Sequence, residues 1–177
     1  GQQGLSCVLA SKIAGAECVI ATGLTRDAKR LEVAQSFGAD FTIDVEKENL
    51  VERVEEITGG KGVDMVVDSA GGPGTLRDAI LAVKKTGTIV MSGAPQYAPE
   101  GFPLQDIQMK RLTLRGLRGH SFAAVELGIH YLSSDKYPLH LMSSHQFGLD
   151  NVDLAIRSVG GEGAEGAIHV TVMPWGT

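Results

Sequence analysis

The first four residues, Gly1-Gln2-Gln3-Gly4, have the spacing of the last four positions of a G-x-G-x-x-G turn, and a helical pattern follows them directly. In a dinucleotide-binding fold that turn leads from the first strand into a helix whose N-terminus carries the pyrophosphate. Gly1 would let the backbone approach the pyrophosphate, and Gly4 would let helix and strand pack closely. The unpaired N–H groups and the positive helix end would attract the phosphates. About 20 residues further on, an NAD enzyme places Asp or Glu on the ribose diol. Here that place is Gly23, with Thr25, Arg26, Lys29 and Arg30 just beyond. A small residue leaves room for a 2′-phosphate and the cations could pair with it, which favours NADP(H) over NAD(H). In the competing reading Arg26 and Arg30 are solvated helix residues and backbone groups hold the diol. An S-adenosylmethionine methyltransferase also has a glycine-rich first turn. It would usually carry an acid at the end of the second strand, where this chain reads Thr22-Gly23-Leu24.

Other chemistry is sparser. His120, His130, His140, His145 and His169 are scattered, and surface or hydrogen-bonded roles are the default for them. Asp68 ends an apolar run, where it either borders a cofactor cleft or caps a turn. Ser69 has no nucleophile-elbow context. Glu48, Glu52, Glu55 and Glu56 form a solvated helix face. Cys7 and Cys18 fall in apolar stretches and read as buried thiols of a cytoplasmic protein rather than a disulfide or a metal pair. A net charge of -5 argues against nucleic acid or an anionic membrane as partner. No apolar run reaches membrane-spanning length, and no signal peptide opens the chain.

The elements that must position these groups alternate. Residues 5–15 place Leu5, Val8, Leu9 and Ile13 at helical spacing, with Gly15 at the C-terminal cap. Strands are predicted at 17–23, 41–45, 63–68, 88–93 and 112–117, and helices at 25–39, 49–60, 75–87 and 121–135. Val63, Met65, Val66 and Val67 form a nearly continuous apolar run, the pattern of a strand covered on both faces. Alternating βαβ units of this size predict an α/β, doubly wound parallel sheet, Rossmann-like. From about Tyr137 the pattern changes. Residues 138–150 read as irregular, 150–159 as a short helix, and 167–175 alternate Ile168, Val170 and Val172 against His169, Thr171 and Met173. Strict alternation predicts a half-exposed strand in a mostly antiparallel sheet, a small piece of a second domain. The predicted division is therefore 1–136 for the dinucleotide-binding domain and 137–177 for the appended segment.

Several stretches make the reading specific: AKRLEVAQSFGAD, ITGGKGVDMVVDSAGGPGTL, KKTGTIVMSGAP, LTLRG and the tail HQFGLDNVDLAIRSV with AIHVTV. In these the chain resembles the C-terminal part of zinc-dependent medium-chain alcohol dehydrogenases of the sorbitol and threonine dehydrogenase type, over nearly its whole length. The resemblance implies hydride transfer between a nicotinamide cofactor, NAD(P), and an alcohol or carbonyl substrate. It carries the pyrophosphate role onto Gly1, Gln2, Gln3 and Gly4, and the adenosine-ribose region onto residues 23–30. Ala70-Gly71 and Gly93-Ala94-Pro95 map near the adenosine and nicotinamide, and Leu117 and Arg118 match the strand end whose backbone meets the nicotinamide amide. The tail would return to the catalytic domain. That family's zinc ligands belong to an N-terminal domain, so zinc is expected only there and no catalytic residue is expected here. Family dimers join the last strands of two nucleotide domains, which makes 112–117, backed by 88–92, the expected two-fold edge. A non-zinc quinone or enoyl reductase shares this domain, and a non-catalytic nucleotide-binding module is a further alternative.

In the strand order 3-2-1-4-5-6 the first strand is central. It has no counterpart here, so the strands at 18–22 and 63–68 are each expected to keep an unpaired edge. An upstream segment ending in an apolar strand and a Gly-x pair is expected to fill the gap, a place the alternating strand at 167–172 does not suit.

Overall fold

The computed structural model describes residues 1–93 and 102–175. In chain order its elements are α1 (Gln2–Ile13), β1 (Ile20–Gly23), α2 (Ala28–Ser36), β2 (Phe41–Asp44), α3 (Leu50–Thr58), β3 (Val63–Asp68), α4 (Thr75–Ala82), β4 (Val83–Met91), α5 (Leu104–Lys110), β5 (Thr113–Gly116), α6 (Phe122–Ser133), β6 (Ser143–Gly148), α7 (Val152–Gly160) and β7 (His169–Met173). Every strand pairing among the described residues is parallel: β1 with β2, β4 between β3 and β5, and β6 with β7. Parallel neighbours need a crossover, and the helices supply it. The chain forms two compact units, Gly1–Asp44 with Ser121–Thr177, and Val45–His120.

In the first unit the core is built from Leu5, Val8 and Leu9 of α1, Ala21 of β1, and Val33, Ala34 and Phe37 in and after α2. The 3–4 spacing of these apolar residues turns one stripe of each helix inward. Tyr137, Leu139, Met142 and Ile168 from the later segment pack onto the same core. Gly38 ends α2 with a φ of +98°, a conformation an L side chain rarely adopts. Ser121 caps α6 by accepting the Ala124 N–H at 3.1 Å. The predicted antiparallel tail is corrected here: β7 runs parallel to β6, Ser143 opposite His169 and Phe147 opposite Val172. Alternation reports one covered face, not strand direction; direction follows from α7, which connects the two strands and packs on both. The segment expected to be irregular therefore contains a strand, β6. Cys18 also departs from expectation. It is exposed, because β1 begins only at Ile20, while Cys7 is partly buried and its thiol is pushed up by that burial. Both thiols are free.

In the second unit Ala79, Ile80, Val83 and Ile89 form the core, with Val66, Ile107, Leu112 and Leu114 packed around them. Asn49 caps α3 by accepting the N–H groups of Val51 and Glu52 at 3.0 and 3.3 Å. The helix predicted over 75–87 stops at Ala82, because Val83 already has strand dihedrals. Val83 pairs with Val63, and the ladder resumes at Met65 opposite Thr88, so residues 84–87 bulge out with Thr86 at φ +62°. Lys110 secures this helix end: its ammonium donates to the carbonyls of Ile80, Leu81 and Val83 at 2.8, 2.7 and 3.0 Å. Helix α5, which carries Lys110, was not expected from the sequence. Met65 is 56% exposed, so β3 is not covered on both faces as predicted. Helix α4 packs against β3 and leaves that residue open.

Candidate cofactor-binding site

The sequence-predicted residues fall into two groups, one in each unit. In the first unit Gly1 is the N-cap of α1, and the first N–H paired inside the helix is that of Leu5, to the Gly1 carbonyl at 3.1 Å. The N–H groups of Gln2, Gln3 and Gly4 therefore lie in the open first turn, where an anion is favoured. Gln3 is exposed, whereas the Gln2 side chain is engaged: its Oε1 lies 2.5 Å from His169 Nδ1.

Gly23 closes β1 opposite Asp44. A Cβ at Gly23 would stand 3.1 Å from Asp27 Cβ and 3.4 Å from Leu31 Cδ2. The expectation that this glycine leaves room for a phosphate is corrected: the space beside it is filled by the start of α2, and glycine allows that close approach. Thr25 Oγ1 donates to Asp44 Oδ2 at 2.8 Å, joining the ends of β1 and β2. Asp27 accepts the Leu24 N–H at 3.1 Å and holds Arg30 Nη1 at 2.6 Å. Arg30 also donates through Nε and Nη2 to the Ala167 carbonyl at 3.1 and 2.5 Å. Lys29 pairs with Glu32 at 2.7 Å. Of the three cations that follow Gly23, Arg26 alone is exposed and without a partner among the described residues. Asp27 and Ala167 carry this arrangement without any role read from the sequence, and His169 is an exposed, hydrogen-bonded histidine as expected. An acid just ahead of a helix was a usable signal for Asp27; nothing local marks Ala167.

In the second unit the ends of β3 and β4 are tied by Asp68, which is 7% exposed. Its Oδ1 accepts the N–H groups of Ala70 and Gly71 at 3.1 and 2.9 Å, and its Oδ2 accepts from Thr75 Oγ1 at 2.8 Å. Its backbone carbonyl accepts the N–H groups of Ser92 and Gly93, both at 2.9 Å. Asp68 is thus the turn-capping acid of the two roles open to it. Gly93 sits directly against the 70–71 peptide: a Cβ there would stand 2.8 Å from Ala70 C and from Gly71 Cα. Three predicted residues, Ala70, Gly71 and Gly93, are so brought together at the carboxyl ends of parallel strands. Ala94 and Pro95 lie outside the described residues. Leu117 continues β5 and donates its N–H to the Met91 carbonyl at 2.9 Å; its side chain and that of Arg118 are exposed.

A family profile described as zinc-binding dehydrogenase matches residues 4–134. This chain belongs to that family. It is 33% identical over 171 residues to a probable alcohol dehydrogenase of Mycobacterium tuberculosis, covering 92% of this chain and 45% of the relative. It is 29% identical over 154 residues to an L-threonine 3-dehydrogenase of Bacillus velezensis, covering 86% and 44%. A solved structure of benzyl alcohol dehydrogenase from Acinetobacter calcoaceticus superposes with a TM-score of 0.77 at 28% identity, over 90% of this chain and 44% of that one. The chain spans about half the length of the curated relatives it matches. This zinc-type medium-chain dehydrogenase chain is the C-terminal, nucleotide-binding part, with the Rossmann-like parallel α/β architecture of its structural neighbours. Among the described residues no three His, Cys, Asp or Glu side chains converge on a position that could hold a metal ion. No helix among them is long and apolar enough to cross a membrane.

Proposed function

We propose that this chain binds NAD(P) for a dehydrogenase that moves a hydride between the nicotinamide and an alcohol or carbonyl substrate. The observation that carries the reading is the backbone knot of Asp68, Ala70, Gly71 and Gly93 at the carboxyl ends of β3 and β4. Ligands of open parallel sheets bind outside that end of the strands. The first turn of α1, at Gly1, Gln2, Gln3 and Gly4, suits the pyrophosphate, and Thr25 and Arg26 suit the adenosine ribose. Leu117 and Arg118, just past the end of β5, are assigned to the nicotinamide amide, a reading supported by the Leu117 N–H already aligned on the Met91 carbonyl at the strand end. When bound, the cofactor supplies the hydride acceptor or donor; the chain's own part is to bind and orient it. Zinc, substrate pocket and proton transfer belong to a part of the full-length enzyme that these residues do not supply.

We further propose a preference for NADP(H). With Arg30 committed to Asp27 and Ala167, the preference rests on Arg26, an exposed cation beside β1. Residues 1–136 are read as the dinucleotide-binding domain and 137–177 as the return to the catalytic domain, a division supported by the match over 4–134. Assembly is proposed as a two-fold dimer through β5, which pairs with β4 on one side and has no partner strand on the other among the described residues. Two free thiols support a cytoplasmic setting. Calorimetric titration of the full-length enzyme with NADPH and NADH tests the cofactor reading. Tighter binding of NADPH is expected, and a tenfold preference for NADH would reject the choice of NADP(H).

A further inference from the structure

Four consecutive residues ahead of and within β7 each meet another part of the first unit, two of them α2. Gly166, at φ +72°, lies so close to α2 that a Cβ would stand 3.3 Å from Lys29 Cγ. The Ala167 carbonyl, on a buried residue, takes both Nε and Nη2 of Arg30. Ile168 packs on the core of α1, β1 and α2, and its N–H donates to Ser144 Oγ at 2.8 Å. His169 reaches Gln2 Oε1 at 2.5 Å. One short stretch thus grips both the turn entering α1 and the turn entering α2, the two places where this unit would meet a dinucleotide.

We propose that residues 166–169 act as a clamp that holds the pyrophosphate turn and the adenosine-ribose turn in fixed register, with Arg30 and His169 as positioning residues. The inference rests on the cofactor-binding reading above. Arg30 is well suited to such a role: its side chain is only 26% exposed, and its five donors form a rigid fork. That fork spans the Asp27 carboxylate, which caps the Leu24 N–H, and the Ala167 carbonyl. A side chain so placed orders the turn below the ribose and offers no free edge to a 2′-phosphate. His169 works from the exposed face, so its loss removes one tether and leaves the core intact. Preorganised turns bind without first being ordered, and losing a tether therefore weakens binding of any cofactor sharing the pyrophosphate.

The test is titration calorimetry and steady-state kinetics on the full-length enzyme with both cofactors. Arg30→Ala should raise Kd for NADH and NADPH by the same factor, about tenfold, and Arg30→Lys should restore part of it through its ammonium. His169→Ala should raise the cofactor KM severalfold, with kcat at saturating cofactor and the melting midpoint unchanged. Gln2→Ala with His169→Ala should be no worse than Gln2→Ala alone, since the two act through one contact. A loss confined to NADPH in Arg30→Ala would make Arg30 a 2′-phosphate ligand and overturn the clamp. Unchanged KM in His169→Ala, or additive losses in the double variant, would also overturn it while leaving the cofactor reading standing. A wild-type enzyme that binds neither dinucleotide would remove both.

Discussion

Gly93→Ala tests the knot between β3 and β4 most directly. The added Cβ would stand 2.8 Å from two backbone atoms, Ala70 C and Gly71 Cα, a separation real Cβ atoms essentially never show. Neither neighbour is a side-chain end that can swing aside, so the 70–71 turn itself must move by several tenths of an ångström. That turn is held by two hydrogen bonds to Asp68 Oδ1, at 3.1 and 2.9 Å, which lengthen as it moves. Overpacking of this kind costs about 1–3 kcal/mol. For a chain of this size each kcal/mol lowers the melting midpoint by about 2–4 °C, so a fall of roughly 4–8 °C is expected for about 2 kcal/mol. If a dinucleotide lies over this turn, its affinity should drop about tenfold, equivalent to about 1.4 kcal/mol. Gly72→Ala is the matched control, because its Cβ would meet only Thr75 Cγ2 at 3.5 Å, an ordinary contact. Scanning calorimetry and NADPH titration of both variants decide the matter. A Gly93→Ala protein indistinguishable from Gly72→Ala in midpoint and affinity would refute the reasoning.

Arg26→Ala should weaken NADPH by about 1–2 kcal/mol, the scale of a partly exposed charged hydrogen bond, and leave NADH unchanged in parallel titrations. Lys110→Met strips three carbonyls at the end of α4 of their donor, and urea unfolding should show a loss of about 1–3 kcal/mol; a loss below about 0.5 kcal/mol would mark an ordinary surface lysine. Asp40 is held below the usual carboxylate range, first by the Val19 N–H at 2.7 Å and then by Lys12 at 3.0 Å. Its contribution is present above the unfolded value near about 4 and fades as pH falls through the depressed folded value. Asp40→Asn should accordingly lower the melting midpoint at pH 7, with the difference closing in acid; a constant offset across pH would contradict this. Light scattering of the full-length enzyme at tens of micromolar should give a dimer, and a monomer at that concentration would count against pairing through β5.

Much of the fold was legible because its signals are local. The stripe of Leu5, Val8 and Leu9 and the run ending at Asp68 each specify an element within a dozen residues. What stayed hidden depends on distant partners. α5 is seven residues long with Leu104 and Met109 exposed, and its reason for being, Lys110 on the end of α4, is 27–30 positions away in sequence. The start of β4 at Val83 was masked by KKTG, which continues a helical pattern until the pairing with Val63 is known. At the site, glycines marked the turns correctly by type, but not what each glycine accommodates. Gly23 admits Asp27 and Leu31, and Gly93 admits a peptide from another loop. The sequence showed Arg30 as a cation; only the fold reveals that its charge is already spent on Asp27 and Ala167.

The first unit is assembled from two stretches separated by the whole of the second. Its joining contacts span 137 positions at Arg30 and Ala167 and 167 at Gln2 and His169. A growing chain therefore releases residues 1–44 well before the stretch that covers them. At the usual pace of translation the interval is on the order of 4–15 s, long compared with helix formation or collapse. Residues 45–120, being contiguous, can close their own core in the meantime. Through that wait the stripe of Val8, Leu9, Val33 and Phe37 lacks the cover that Tyr137, Leu139, Met142 and Ile168 later supply. Vectorial synthesis thus gives this protein a nascent-chain window in which holdase chaperones have a defined target, and synonymous changes that slow the ribosome over the codons for residues 45–120 should widen it.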